Sequence, residues 1–284
     1  MDREFPIDPE LEQGYNVSQS RDDFQTLLGG WARRSEAFRG GAEAQLDCAY
    51  DEGPRDRIDL FRCGKRNAEL LVFIHGGYWQ RGDKSGFSFI AEPFVETGVD
   101  VALVGYPLCP HTGMGSIVSQ IRKAIIWLWR NAGKLGISSQ RINICGHSAG
   151  GQLTAMMLAT RWSKFAGDVP PDLVKTGIPI SGLYQLEPLR HTTINDALGM
   201  DASVAHRNSP QFLEPLTQAP VLVTLGGTET EQFFWQMDQF VEQWGSFSSS
   251  IQTFIEPGAD HFDVIDRLAQ ADSSIFQNVR AWLR

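Results

Sequence analysis

Gly146-His147-Ser148-Ala149-Gly150 follows the apolar run Ile142-Asn143-Ile144-Cys145 and precedes Gln152-Leu153-Thr154-Ala155-Met156-Met157-Leu158, which reads as a helix. A G-x-S-x-G pentapeptide at a strand-to-helix turn suits a serine nucleophile. Small residues on both sides let the backbone turn sharply, so the Ser148 hydroxyl stands clear of the sheet with a helix N-terminus beneath it. The same pentapeptide also fits an ordinary turn before a helix, so the rest of the chemistry must be sought elsewhere in the chain.

Leu70-Leu71-Val72-Phe73-Ile74 lacks any polar alternation, which predicts a strand buried on both faces. It opens into His75-Gly76-Gly77-Tyr78-Trp79, one strand-plus-helix unit before the serine. A glycine-rich loop there can aim backbone N–H groups at a reacting oxygen. The N–H groups of Gly77 and Tyr78, with Gly76 permitting the turn, and the N–H of Ala149 after the nucleophile are candidates for an oxyanion hole.

A serine nucleophile needs a base and an acid to orient it, and in a strand-turn-helix context these follow it as acid, then histidine. Of six histidines, His75 and His147 sit inside the two motifs, and His111, His191 and His206 lie in polar, loop-like stretches. His261 follows the alternating strand 251–255 and the turn Glu256-Pro257-Gly258-Ala259-Asp260, which makes it the candidate base. Upstream of that strand, Pro220-Val221-Leu222-Val223-Thr224-Leu225 ends in Gly226-Gly227-Thr228-Glu229-Thr230-Glu231. Glu229 falls in the loop and is the favoured acid. Glu231 falls in the first turn of the aromatic helix that follows, where an acidic residue complements the dipole. Asp238 and Asp260 are the remaining alternatives.

These residues can meet only if the strands that carry them share one edge of a sheet. Residues 46–50 and 57–62 read as opening strands joined by the turn Asp51-Glu52-Gly53-Pro54-Arg55. Then come strand 69–75, helix 86–97, strand 99–105, helix 116–133, strand 141–145, helix 149–161 and strand 176–181. Strands 220–225 and 251–255 and a helix over 273–283 close a single domain of 1–284. The alternation predicts an α/β fold with a mostly parallel sheet covered on both faces. Residues 182–219, a long Pro-interrupted connection, and residues 10–40 are expected to form cap elements over the site. Tyr78, Trp79, Phe87 and Phe89 cluster near the glycine-rich loop and, as a group, favour a flat aromatic substrate. Tyr78, Trp79, Phe87 and His147 are the candidate pocket residues. Trp127 and Trp129 read as packing, Tyr106-Pro107 as a rim turn, and Ser209 as a cap or turn residue. Ser246-Phe247-Ser248-Ser249-Ser250 reads as a loop.

The chain has 284 residues, is 42% hydrophobic and carries a net charge of −9, enough for a large core and unsuited to nucleic acid or anionic membrane. Cys48, Cys63, Cys109 and Cys145 show no metal or disulfide spacing and read as reduced thiols of a cytoplasmic protein. Met1-Asp2-Arg3-Glu4-Phe5 has no basic region leading into an apolar one, so neither secretion nor membrane insertion is expected. No histidine-rich ligand set is visible, and no metal or cofactor is required.

His75-Gly76-Gly77-Tyr78-Trp79-Gln80 resembles the H-G-G-Y-W motif of kynurenine formamidases (arylformamidases), a branch of the α/β-hydrolases near the hormone-sensitive-lipase group. In the same order, Gly146–Gly150, Ser181-Gly182-Leu183-Tyr184-Gln185-Leu186-Glu187-Pro188, Arg207-Asn208-Ser209-Pro210-Gln211 and Asp260-His261-Phe262 are similar to that family. The resemblance covers residues 68–268. It implies the α/β-hydrolase fold, a nucleophile at Ser148, a base at His261, an acid at the position of Glu229 and an N-formylkynurenine-like substrate. The animal enzymes carry aspartate at that acid position. Tyr15-Asn16 and Trp31-Ala32-Arg33-Arg34-Ser35 look more like bacterial relatives.

The expected reaction is serine-dependent cleavage of a small acyl group, formyl above all, from an aryl amine or aryl ester, with a small aromatic acyl compound as partner and a homodimer as the assembly kept open. The residues themselves point only to acyl transfer; the formyl group comes from the resemblance. A general carboxylesterase and an aryl amidase or carbamate hydrolase are the enzymatic alternatives. A binding protein on a hydrolase scaffold and a metal-dependent formamidase are the alternatives from other classes.

Overall fold

The computed structural model describes residues 6–247 and 250–284. The N-terminal pentapeptide, and Ser248 and Ser249 of the serine-rich loop, lie outside the described residues. The chain starts with helix α1 (Pro9–Tyr15), capped by the Asp8 carboxylate, and helix α2 (Phe24–Gly41). Strands β1 (Ala44–Ala49), β2 (Arg57–Phe61) and β3 (Leu70–Ile74) follow. Next come helix α3 (Ala91–Glu96), strand β4 (Asp100–Val104), helices α4 (Met114–Arg130) and α5 (Ala132–Leu135), strand β5 (Ile142–His147) and helix α6 (Ala149–Leu158). After β6 (Thr176–Ile180), the short helices α7 (Asn195–Leu198) and α8 (Ala202–Arg207) lead to β7 (Val221–Gly226). The chain ends with α9 (Glu231–Gly245), β8 (Ile251–Glu256), α10 (Asp263–Leu268) and α11 (Ser274–Trp282).

The eight strands form one sheet in the order β1-β2-β4-β3-β5-β6-β7-β8. β1 pairs antiparallel with β2 and β2 with β4, and all other pairs are parallel. This is the mostly parallel sheet expected from the alternation of elements, in the α/β-hydrolase arrangement that the resemblance implies.

The uninterrupted apolar runs follow from burial on both faces. In β3, Leu70, Val72 and Ile74 point into one core with α4 and α6, while Leu71 and Phe73 point into a second core with Trp31, Phe87, Phe94 and Phe276. Strand side chains alternate between faces, so a strand between two cores has no polar positions left. At the edge, β8 is mostly exposed instead: Ile251 and Phe254 are half-buried and only Glu256 is buried.

Several boundaries differ from the sequence reading. The helix expected over 86–97 is a 3₁₀ turn at Lys84–Ile90 followed by the short α3, and the helix expected over 116–133 is α4 with α5 after it. Pro93, which lacks an N–H, fits the first turn of α3 and no later position. His206, expected in a loop, lies in α8, and Tyr106, expected at a rim, is fully buried.

Candidate active site

β5 delivers Ser148 at a turn with φ 58° and ψ −118°, a conformation that L-residues avoid. Such strain persists only when the surroundings over-determine it. Three glycines supply that constraint. A Cβ on Gly150 would lie 1.9 Å from the Ile74 carbonyl oxygen, one on Gly146 would lie 2.2 Å from the Gly150 oxygen, and one on Gly151 would lie 2.8 Å from the Gly182 Cα. The turn is therefore pressed against β3 and β6 with no space for side chains. The Ser148 N–H donates to the Ile180 carbonyl at 2.8 Å, and α6 begins at Ala149.

The loop after β3 is also unusual. Gly77, Tyr78 and Trp79 have successive positive φ values of 112°, 51° and 57°. Its backbone closes on itself, with the N–H groups of Gln80 and Arg81 donating to the Gly77 carbonyl at 3.1 and 3.0 Å. Side chains then lock it. The Tyr78 hydroxyl donates to the Tyr15 carbonyl, and Trp79 Nε1 donates to Gln152 Oε1 at 3.1 Å. His75 is stacked between Tyr106 and Phe87, and its Nδ1 donates to the Gly76 carbonyl at 2.7 Å. Burial pulls the His75 pKa down to about 4, so the ring is neutral. A Cβ on Gly76 would sit 3.0 Å from the His147 carbonyl oxygen and 3.1 Å from Ser148 Cβ, which places this loop directly against the serine turn.

His261 follows β8, and its Nδ1 lies 2.7 Å from Glu229 Oε2. Glu229 sits in the turn between β7 and α9, its side chain wholly buried. Its other oxygen, Oε1, accepts from the Ser181 hydroxyl and from the Gly226 N–H at 2.9 Å. Three donors thus fix the carboxylate. The alternatives do not reach His261 in this way: Glu231 and Asp238 are exposed on α9, and Asp260 accepts from Arg21 and from the Phe262 and Asp263 N–H groups. Ser181, itself at φ 49°, had no distinguishing sequence signal, because its role depends on a contact made across two strands.

His147 Nε2 donates to the His261 carbonyl at 2.8 Å. Burial, then the neighbouring His261, push the His147 pKa well below its ordinary value, which keeps it a neutral donor. The His261 ring is also packed by Phe233, with ring centroids 4.4 Å apart.

Ser148, His147 and His261 line one cavity of about 310 Å³ together with Gly76, Gly77, Tyr78 and Phe87. Trp79 does not line it. That candidate pocket residue is fully buried behind the loop, because its indole is spent on Gln152. Phe89 is likewise core, packed on Trp31. Ala149 is buried at the start of α6. The outer wall comes from Val17, Phe24, Leu28 and Trp31, and Arg81 and Phe262 complete the mouth. Residues 182–219, expected over the site, contribute no lining residue among the described residues and pack instead beside α1, α6 and α9. The other histidines stay outside: His206 stacks on Phe212, and His191 lies 3.8 Å from Glu187. Ser209 donates to the Ala205 carbonyl and accepts from the Leu186 N–H, a structural use. Among the described residues no three His, Cys, Asp or Glu side chains converge as a metal site, and no helix is long and apolar enough to cross a membrane.

The BD-FAE family profile matches residues 58–176. A kynurenine formamidase from Salmo salar is 31% identical over 94% of this chain and 94% of its own length. One from Danio rerio is 29% identical over 91% of this chain and 90% of its own length. A solved structure of a thioesterase candidate from Silicibacter sp. superposes with a TM-score of 0.84 at 32% identity, covering 96% of this chain and 98% of that one.

Proposed function

The chain belongs to the kynurenine formamidase family of α/β-hydrolases, and on that premise we propose that it is a serine-dependent hydrolase removing a small acyl group, formyl above all, from an aryl amine. Ser148 Oγ attacks the acyl carbon while His261 Nε2 takes the hydroxyl proton. The carbonyl oxygen, now negative, accepts from the N–H groups of Gly77, Tyr78 and Ala149, the last at the N-terminus of α6 where the helix dipole favours an anion. The C–N bond then breaks as His261 returns the proton to the departing amine, leaving the acyl group on Ser148. Water, deprotonated by His261, attacks this ester and releases the acid. Glu229 holds the imidazole with Nδ1 protonated, so that Nε2 is free to act as base. It also stabilises the imidazolium.

The observation that carries this reading is the 2.7 Å contact between Glu229 and His261, with His261 in the cavity that holds Ser148. Aromatic walls from Trp31, Phe24 and Phe87 suit a flat leaving group. The designation of the Silicibacter relative favours a second reading, thioester cleavage by the same residues. The test is a kinetic panel of N-formylkynurenine, aryl acetates and acyl thioesters. The highest kcat/KM on the formamide supports the proposal. A formamide that is inert beside readily cleaved thioesters overturns it.

A further inference from the structure

We propose that Arg81 is a carboxylate anchor, binding an anionic group at the end of the substrate remote from the scissile acyl bond. This rests on the reading of the cavity as the site of acyl transfer, and it narrows the substrate class to aryl amides or esters that carry a carboxylate.

Arg81 lies at the cavity mouth, where its guanidinium sits 6.0 Å from the centre of the Tyr78 ring and donates to the Ser18 hydroxyl at 3.2 Å. Among the described residues no carboxylate pairs with it. The neighbouring cations differ in this respect. Arg21 is held by Asp23, Asp260 and Asp263, Arg34 by Asp266, and Arg55 by Asp83. Asp83, the acidic residue in the cavity lining, is further occupied by the Ser85 N–H and hydroxyl. Arg81 therefore keeps most of its five donors available in a lining that is otherwise largely apolar.

Its position is tied to the reaction centre. The Arg81 N–H donates to Gly77, and a Cβ on Gly77 would lie 2.1 Å from the Arg81 carbonyl oxygen, so the backbone of the anchor and that of the oxyanion loop are one closed turn. The root of the Arg81 side chain is therefore held in place beside the oxyanion loop. In a chain of net charge −9, a local cation is also what a negatively charged substrate needs for productive approach. Because Arg81 is exposed, its attraction for an anion is screened by salt.

The experiment compares 3-(2-formamidophenyl)propanoate with its primary amide, and 3-(4-acetoxyphenyl)propanoate with its primary amide, in wild type, Arg81→Gln and Arg81→Lys. Wild type is expected to prefer each carboxylate by about tenfold or more in kcat/KM, the size of one charge-assisted pair at a wet site. The ratio should shrink as salt is raised. In Arg81→Gln it should collapse towards one through KM, and Arg81→Lys should retain part of it. A wild-type ratio near one, or a ratio that Arg81→Gln leaves in place, overturns the anchor. Inert formamides with an Arg81-dependent ratio on the acetates would instead remove the formyl reading and keep the anchor.

Discussion

Replacing Ser148 by alanine deletes one oxygen from a turn whose shape is set by its glycines, so the fold should survive while hydrolysis is abolished. A fluorophosphonate probe is expected to label wild type and not Ser148→Ala. Labelling of Ser181 or Ser209 in the variant would show that the nucleophile lies elsewhere. Glu229→Gln should lower kcat by about 10²–10⁴ with little loss of stability, since an amide permits the wrong imidazole tautomer and cannot stabilise the imidazolium. Glu231→Gln should be almost silent, its side chain being exposed at the start of α9. The reverse pattern would dismiss Glu229 as the orienting acid. At this scale the sequence was informative about placement: Ser148 before a helix, His261 after the last strand, Glu229 in the loop after β7, with the last two in contact. It said nothing of the hydrogen bond from Ser181 to Glu229. Trp79 misled for a related reason: adjacency to Tyr78 does not reveal that the two side chains leave the loop in different directions.

Strand β3, the serine turn and α6 behave as one packed unit. Gly150→Ala would drive a methyl group into the Ile74 carbonyl, backbone against backbone, and is expected to cost about 3 kcal/mol or more or to prevent folding. Gly86→Ala is the matched control, because nothing lies within 4 Å of a Cβ there. Urea-unfolding midpoints and soluble yield measure both, and equal behaviour of the two variants would refute the crowding argument. The buried strands were legible because a strand between two cores must be continuously apolar. The helix at 86–97 was not, since a 3₁₀ turn leading into six α-helical residues leaves no long 3.6-residue period. In α2 the period is present at Phe24, Leu28, Trp31, Ser35 and Phe38, but Gly29, Gly30, Gly40 and Gly41 weaken the local helical preference, so residues 10–40 read as a cap over the site and not as a defined helix.

For the molecule as a whole, two neutral histidines buried at the site make stability depend on pH. His75 has an ordinary pKa of 6.5 and a folded value of about 4, and His147 is shifted in the same direction. Between those values the unfolded chain binds more protons than the folded one, so stability is full above pH 6.5 and falls as pH drops towards 4. For His75 alone the loss by pH 4 is on the order of 3 kcal/mol. Urea midpoints measured at pH 7, 6 and 5 should decline steadily, and His75→Asn should flatten the slope; an unchanged slope would reject the buried-histidine account. The outer wall of the cavity has a different kind of consequence. Val17, Phe24, Leu28 and Trp31 come from the segment before the first strand, fastened to the body by the Tyr78 hydroxyl on Tyr15 and by Trp31 Nε1 on Asp266 at 3.0 Å. The groups proposed to carry the reaction all come from turns at the far ends of β3, β5, β7 and β8. Part of the wall facing the leaving group thus comes from a stretch of chain separate from the proposed reaction centre, with Arg81 and Phe87 contributing to the remainder. Exchanging the first forty or so residues between relatives is a route by which selectivity can be retuned while the reaction centre is inherited whole.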